Sequence, residues 1–160
     1  MSKEIAYMCG DATRPFGQGS KIIAHVCNDA GGWGAGFVGA LSRRWPQPEA
    51  AYRQWYRNRA ANDFALGAVQ LVQVDDDLWV ANMIGQHGIR RRPSAAAPVR
   101  YEAIDQALAS LSERASALAA SVHMPRIGCG LAGGRWEKIE PLIAHRLAGQ
   151  GISVTVYDLE

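Results

Sequence analysis

The chain has 160 residues, 48% of them hydrophobic and 20% charged. That is enough for one folded domain with a real core and too short for two comfortable ones. Seventeen basic residues against fifteen acidic ones give a net charge of +2, with a pI near 8.5, which excludes a bulk electrostatic attraction for duplex nucleic acid.

In chain order, EIAYMCG at 4–10 and KIIAHVC at 21–27 read as short, largely buried strands. Between them lies a turn-rich stretch holding Pro15, Gly17 and Gly19. FVGALSRRW at 37–45 sets Phe37, Val38, Leu41 and Trp45 at helical spacing, and Pro46 stops it. A second helix over 48–60 opens on Pro48, a residue tolerated in a first turn. GAVQLVQV at 67–74 and DLWVANMIG at 77–85 form two strands joined by a hairpin at Asp75, Asp76 and Asp77.

From Pro98 to about Ala120, apolar residues at Ile104, Leu108, Leu111, Ala115 and Leu118 mark one face of a long helix. SVHMPRIGCG at 121–130 is a strand ending in glycines, 136–150 a last helix with Pro141 in its first turn, and 152–159 a closing strand. Strands alternating with helices imply a three-layer α/β domain, and the hairpin makes its sheet mixed, mostly parallel, with about six strands.

No run approaches the roughly 18 apolar residues of a membrane span. The opening MSKEIAYMCGD has no signal-peptide h-region, so a cytoplasmic protein with no membrane partner is expected. Cys9, Cys27 and Cys129 are odd in number and far apart, which points to reduced thiols rather than a disulfide frame or a zinc knuckle. No metal and no other cofactor is expected. Arg90, Arg91 and Arg92 form the one dense basic cluster.

Two segments repeat one plan. HVCNDAGGWGAGFV at 25–38 and RIGCGLAGGRWEKI at 126–139 are each strand, glycine-rich loop, helix. Ligands of α/β sheets bind beyond the carboxyl ends of strands, where such loops collect. Consecutive backbone N–H groups capped by a helix N-terminus make a concave anion site, so two such loops could hold a diphosphate from both sides. Neither loop is a GxxxxGK[ST] P-loop or a GxGxxG dinucleotide fingerprint. The glycines could also serve only to make tight turns.

GDATRP at 10–15, IIAHVCNDAGGWGAGFVGALSRRWP at 22–46, RIGCGLAGGRWEKIEPLI at 126–143 and VTVYDL at 154–159 together resemble a macro domain. The branch they resemble holds the terminal ADP-ribose protein glycohydrolase and a small ADP-ribose 1″-phosphate phosphatase. The resemblance implies a three-layer α/β/α fold over 1–160 and a pocket for ADP-ribose or a derivative of it. Asp11, with Ala12 beside it, matches the acidic residue that accepts a hydrogen bond from the adenine amine. Gly34, Ala35, Gly36 and Phe37 match the first phosphate loop, and Gly128, Cys129, Gly130, Leu131 and Ala132 the second. Asn28 matches the position where the family has a polar residue beside the distal ribose, and the resemblance sets Tyr157 and Leu159 near the adenine end.

The glycohydrolase of this branch needs a nucleophilic lysine and a catalytic aspartate, and Gln86 and Ala132 stand at those positions. An amide does not attack an anomeric carbon and a methyl group is no base, which excludes a lysyl covalent mechanism. His25 matches a histidine of the phosphatase-like relative, and an ordinary imidazole titrates near neutral pH. His25, Asn28 and Asp29 are therefore the expected catalytic group, and Asp29 and His87 could activate water. The expected function is binding of ADP-ribose with hydrolysis of a derivative at C1″: a 1″-phosphate, an acyl ester or an ADP-ribosylated macromolecule. The alternatives are a non-catalytic ADP-ribose reader, an eraser acting on ADP-ribosylated nucleic acid with Arg90–Arg92 on backbone phosphates, and a generic nucleotide or nucleic-acid fold without ADP-ribose specificity. An ADP-ribosylated protein or nucleic acid is the expected macromolecular partner.

Overall fold

The computed structural model describes residues 2–34, 36–89 and 96–159. Six strands, β1 (Ala6–Cys9), β2 (Lys21–Asn28), β3 (Val69–Asp75), β4 (Leu78–Gln86), β5 (Ser121–Met124) and β6 (Val154–Asp158), form one sheet in the order β1-β6-β5-β2-β4-β3. Every neighbouring pair is parallel except the β3–β4 hairpin. Helices α1 (Phe37–Arg44) and α2 (Gln47–Arg57) cover one face, while α3 (Tyr101–Leu118) and α4 (Trp136–Arg146) cover the other.

The two-residue period of β2 makes those two faces. Ile23 and Cys27 pack with Leu41, Tyr52 and Trp55, whereas Ile22 and Ala24 pack with Ile104, Leu108 and Ile139. A strand buried on both faces reads as a continuous apolar run, which is why 21–27 carries no polar alternation. The architecture is the expected mixed, mostly parallel α/β/α sandwich.

Three local readings change. Strand β1 is shorter than 4–10 and largely exposed, because it is an edge strand supported on one side by β6. Strand β5 ends at Met124, before Pro125, which has no N–H to continue a ladder. Pro141 is the sixth residue of α4 rather than a first-turn residue. The carbonyl its missing N–H would have engaged is that of Glu137; both residues are exposed, so water can serve that carbonyl.

Because β3 alone runs against the others, the carboxyl ends of five strands share one edge, in the order Cys9, Asp158, Met124, Asn28, Gln86. At the usual strand spacing this edge is roughly 19 Å long. The glycine-rich loops leave from β2 and β5, adjacent strands at its centre. No helix among the described residues is long and apolar enough to cross a membrane.

Candidate functional site

Two adjoining hollows make one cleft along this edge, sharing Val26, Val38 and Gln86 as their common wall. One, of about 390 Å³, is lined by His25, Gly36, Phe37, Arg126, Gly128–Gly130 and Ala132. The other, of about 330 Å³, is lined by Asn28, Gly32, Trp33, Gly34, Arg53 and Ile89. Larger hollows of about 490 and 530 Å³ exist beside the Asp75–Asp77 turn and at the start of α3, but neither contains a residue of the two glycine loops. The sheet thus brings loops about 100 residues apart in the chain onto one cleft.

The first loop is folded around Asn28. Its Oδ1 accepts from the N–H groups of Ala30 (2.9 Å) and Gly32 (3.0 Å) and from the Tyr52 hydroxyl (3.0 Å), while Nδ2 donates to the Gly32 carbonyl at 2.9 Å. The Tyr52 hydroxyl also reaches the Asn28 carbonyl at 2.6 Å. Trp33 ties the loop to α1 by donating from Nε1 to Ser42 Oγ at 2.8 Å. The second loop is closed by its own backbone, with the Gly134 N–H on the Gly128 carbonyl at 2.8 Å and that of Gly133 on Gly130 at 2.9 Å.

Orphan backbone donors remain at both loops. Among the described residues, the N–H groups of Phe37 and Val38, which open α1, and that of Gly130 meet no backbone carbonyl. Donors of this kind at a helix start suit an anion. A Cβ built on Gly34, Gly36 or Gly130 meets no atom within 4 Å, so these three present bare backbone to open space. Gly128 and Gly134 are different, since a Cβ there would overlap Ile139 or the Gly128 carbonyl. Those two are glycine because the loop is packed.

At the other end of the edge, Asp11 is half-buried and forms an Asx turn, its Oδ1 accepting from Thr13 N at 2.9 Å and Thr13 Oγ1 at 2.8 Å. Among the described residues its Oδ2 has no hydrogen bond. Burial raises the Asp11 pKa, but the Thr13 hydrogen bonds, with Arg14 and Arg44 nearby, outweigh it and hold the carboxyl below the ordinary range. Ala12 is buried beneath this turn. Tyr157 anchors the stretch that follows: its hydroxyl accepts from Phe16 N at 2.9 Å and faces His123 Nδ1 at 2.7 Å. Asp11, Ala12 and Tyr157 do not line the two hollows, and lie further along the same edge, while Leu159 is exposed.

His25 is buried, with Nε2 2.5 Å from Asn82 Oδ1 and its ring edge-on to Trp33 at 5.4 Å. The Asn82 amide donates to Pro48 O and Gln70 Oε1, so its oxygen is the acceptor and His25 Nε2 carries the proton. Desolvation pushes the His25 pKa down to about 4, against a smaller raising effect of Asn82. The imidazole is therefore neutral at pH 7, and its N–H is committed within the core.

Gln86 lines the cleft wall and spends its amide on the Gly88 carbonyl at 3.0 Å. Ala132 is buried, its carbonyl accepting from Val99 N at 3.0 Å. The Cys129 thiol is half-buried in the second loop; burial raises its pKa and Arg126 partly offsets this. Ala35, Arg90, Arg91 and Arg92 lie outside the described residues, and of Leu131 only the backbone is described. The structure brings Asp29 and His87 together, with Oδ2 and Nδ1 at 2.8 Å.

Two contributors escape the motif reading. Arg126 stands at the mouth of the second loop, its fork on Asp158 at 2.7 and 2.9 Å and its guanidinium 5.2 Å from the Tyr7 and Trp136 rings. Its position directly before IGCG was a signal that could have been used. Tyr52, which fixes Asn28 from α2, has none, being 24 residues away.

Comparison with known proteins fits this geometry. No family model matches the chain. It is 33% identical over 98% of its length to mouse chromodomain-helicase-DNA-binding protein 1-like, of which it spans only 18%. It is 27% identical to an ADP-ribose 1″-phosphate phosphatase of Meyerozyma guilliermondii, covering 89% of this chain and 93% of that one. A macrodomain protein from Streptomyces coelicolor is 64% identical, covers 97% of this chain and 99% of its own, and superposes with a TM-score of 0.87. With that identity across the full length of both chains, and with both glycine loops meeting on one cleft, this chain belongs to the macrodomain family.

Proposed function

We propose that the protein binds ADP-ribose along the carboxyl edge of the sheet and hydrolyses a derivative of it at C1″. The observation that carries this reading is the convergence of both glycine loops on the cleft, with orphan N–H groups from each. In this reading Phe37, Gly130 and their neighbours hold the diphosphate, and Asp11 accepts from the adenine amine with Oδ2, the oxygen not engaged by Thr13. Asn28 shapes the loop beside the distal ribose. The order of strand ends then matches the order of the ligand: adenine beyond β1, diphosphate between β5 and β2, and C1″ at the ends of β2 and β4. An edge of roughly 19 Å is too long for a mononucleotide to engage both ends. The named phosphatase relative supports turnover as well as binding. His25 is kept out of proton transfer in this reading, because its proton is held by Asn82 inside the core.

A second reading, a non-catalytic reader of ADP-ribose, is favoured by one observation. Gln86 and Ala132 occupy the positions where a lysyl glycohydrolase would need its lysine and its aspartate. Calorimetric titration should show tight ADP-ribose binding, weak AMP binding and no requirement for magnesium. A turnover panel of the 1″-phosphate, an O-acyl ester, and ADP-ribosylated protein and DNA should then identify a substrate, with no protein–ribose adduct trapped by borohydride. Binding without turnover on any member leaves the reader; absence of ADP-ribose binding removes both readings.

A further inference from the structure

The ends of β2 and β4 carry an acid–imidazole pair formed by residues 58 positions apart. A register shift between Cys27 and Asn28 sets Asn28 opposite Gln86, a bulge of the kind that re-aims the residues after it. Beyond it, the Asp29 N–H donates to the Gln86 carbonyl at 2.9 Å, and Asp29 Oδ1 accepts from Gly88 N at 2.7 Å. The remaining oxygen, Oδ2, faces His87 Nδ1 at 2.8 Å. Asp29 is thus held at three points, one on its backbone and two on its carboxylate, and the imidazole is the more exposed partner, its side chain 62% accessible against 21% for Asp29.

Resting on the hydrolase reading above, we propose that His87 is the general base that activates the attacking water and that Asp29 orients it. A carboxylate on Nδ1 places the imidazole proton there and leaves the Nε2 lone pair as the acceptor. Among the described residues, no hydrogen bond engages that Nε2. The residues immediately before the pair, Asn28 and Gln86, line the 330 Å³ hollow, as does Ile89 just after it. Asp29 and His87 do not themselves line that hollow, but these neighbours set the pair beside the part of the cleft given to the distal ribose. Asp29 itself is a poor base here, since both its oxygens already hold hydrogen bonds.

In the step, a water oxygen forms the new bond to C1″ while its proton passes to His87 Nε2. The bond from C1″ to the leaving group breaks, and the leaving group departs with the electron pair. The imidazolium, stabilised by Asp29, returns its proton to the departing group or to solvent. The products are ADP-ribose and the protonated leaving group.

The test uses the full chain and the best substrate of the panel. His87→Ala should lower kcat by about 10²–10⁴ with the ADP-ribose Kd within about twofold, and added imidazole should restore part of the rate. Asp29→Asn keeps the acceptor for Gly88 but turns an N–H toward Nδ1, moving the imidazole proton to Nε2; kcat should fall and Kd hold. The double variant should be no slower than His87→Ala alone, because the two act as one unit. A wild-type rate in His87→Ala overturns the proposal. So does a loss that imidazole cannot rescue, or one accompanied by loss of ADP-ribose binding, either of which makes the pair a loop brace. A wild-type protein that binds ADP-ribose but turns over no panel member removes the base together with the hydrolase reading.

Discussion

At the scale of single residues, the side chains divide by what their polar atoms already hold. Asn28 and His25 are consumed by the fold: the first by three donors onto its oxygen, the second by Asn82. Asp11 is half consumed, with Oδ1 on Thr13 and Oδ2 open among the described residues. That asymmetry makes Asp11 testable by two different substitutions. Asp11→Ala should lose a charge-assisted hydrogen bond worth about 1.5–3 kcal/mol, a loss of ADP-ribose affinity of roughly 10- to 150-fold by calorimetry. Asp11→Asn keeps the oxygen that holds Thr13 but can present an amide N–H to the base. It should abolish the preference for ADP-ribose over GDP-ribose while the thermal midpoint stays near that of the wild type. A preference that survives in Asp11→Asn would place adenine elsewhere.

At the scale of elements, each glycine loop is a strand end, a turn and a helix start, and its glycines have separable jobs. Gly34 has no left-handed backbone angle and nothing within 4 Å of a built Cβ, so a side chain there projects into open cleft without strain. Gly134 has no space at all, because a Cβ would overlap the Gly128 carbonyl. Gly34→Val should therefore remove most ADP-ribose binding while leaving the circular dichroism spectrum and thermal midpoint near native. Gly134→Ala should lower the midpoint, at a cost of about 1–3 kcal/mol typical of overpacking. Gly36 and Gly130 are less clean probes, since their φ angles of +81° and +68° would add backbone strain to any ligand effect. If Gly34→Val binds ADP-ribose as wild type does, that position makes a turn and nothing more.

Across the whole molecule, two histidines are neutral and inside. His25 holds Asn82, and His123 bridges Ser121 Oγ at 2.8 Å and Tyr157 at 2.7 Å; desolvation pushes each pKa down to about 4, with Lys21 adding to the effect at His123. In the unfolded chain both titrate near 6.5. Folding is therefore fully favoured above pH 6.5, and the unfolded state takes up protons first as pH falls. Stability should drop between pH 6.5 and 4 by on the order of 3 kcal/mol per histidine. Urea unfolding at a series of pH values should show this slope, and His123→Gln should flatten it. A flat profile over that window would mean that the two rings are hydrated or charged in the folded protein. Below about pH 4 the carboxylates held low by partners, Asp11, Asp105 and Asp158, add to the loss as they protonate.

What could be read from the sequence was what short-range order determines. Apolar period distinguishes β2 from α3, Pro46 stops the first helix, and two glycine runs between strand and helix mark where a ligand is approached by backbone. These depend on residues within a turn or a strand of one another, so the local pattern already carries their energetics. Strand order was not legible, because β1 and β6 pair across nearly the whole chain, and only that pairing makes 4–10 an exposed edge rather than a buried strand. The same limit governs the site. Nothing near His25 in sequence says that Asn82, 57 residues on, holds its proton; nothing near Asn28 announces Tyr52, and the pairing of Asp29 with His87 needs β2 and β4 side by side with a bulge between them. Residue type sets what a side chain can donate or accept, but which of those capacities remains free is decided by neighbours that only the packed sheet supplies.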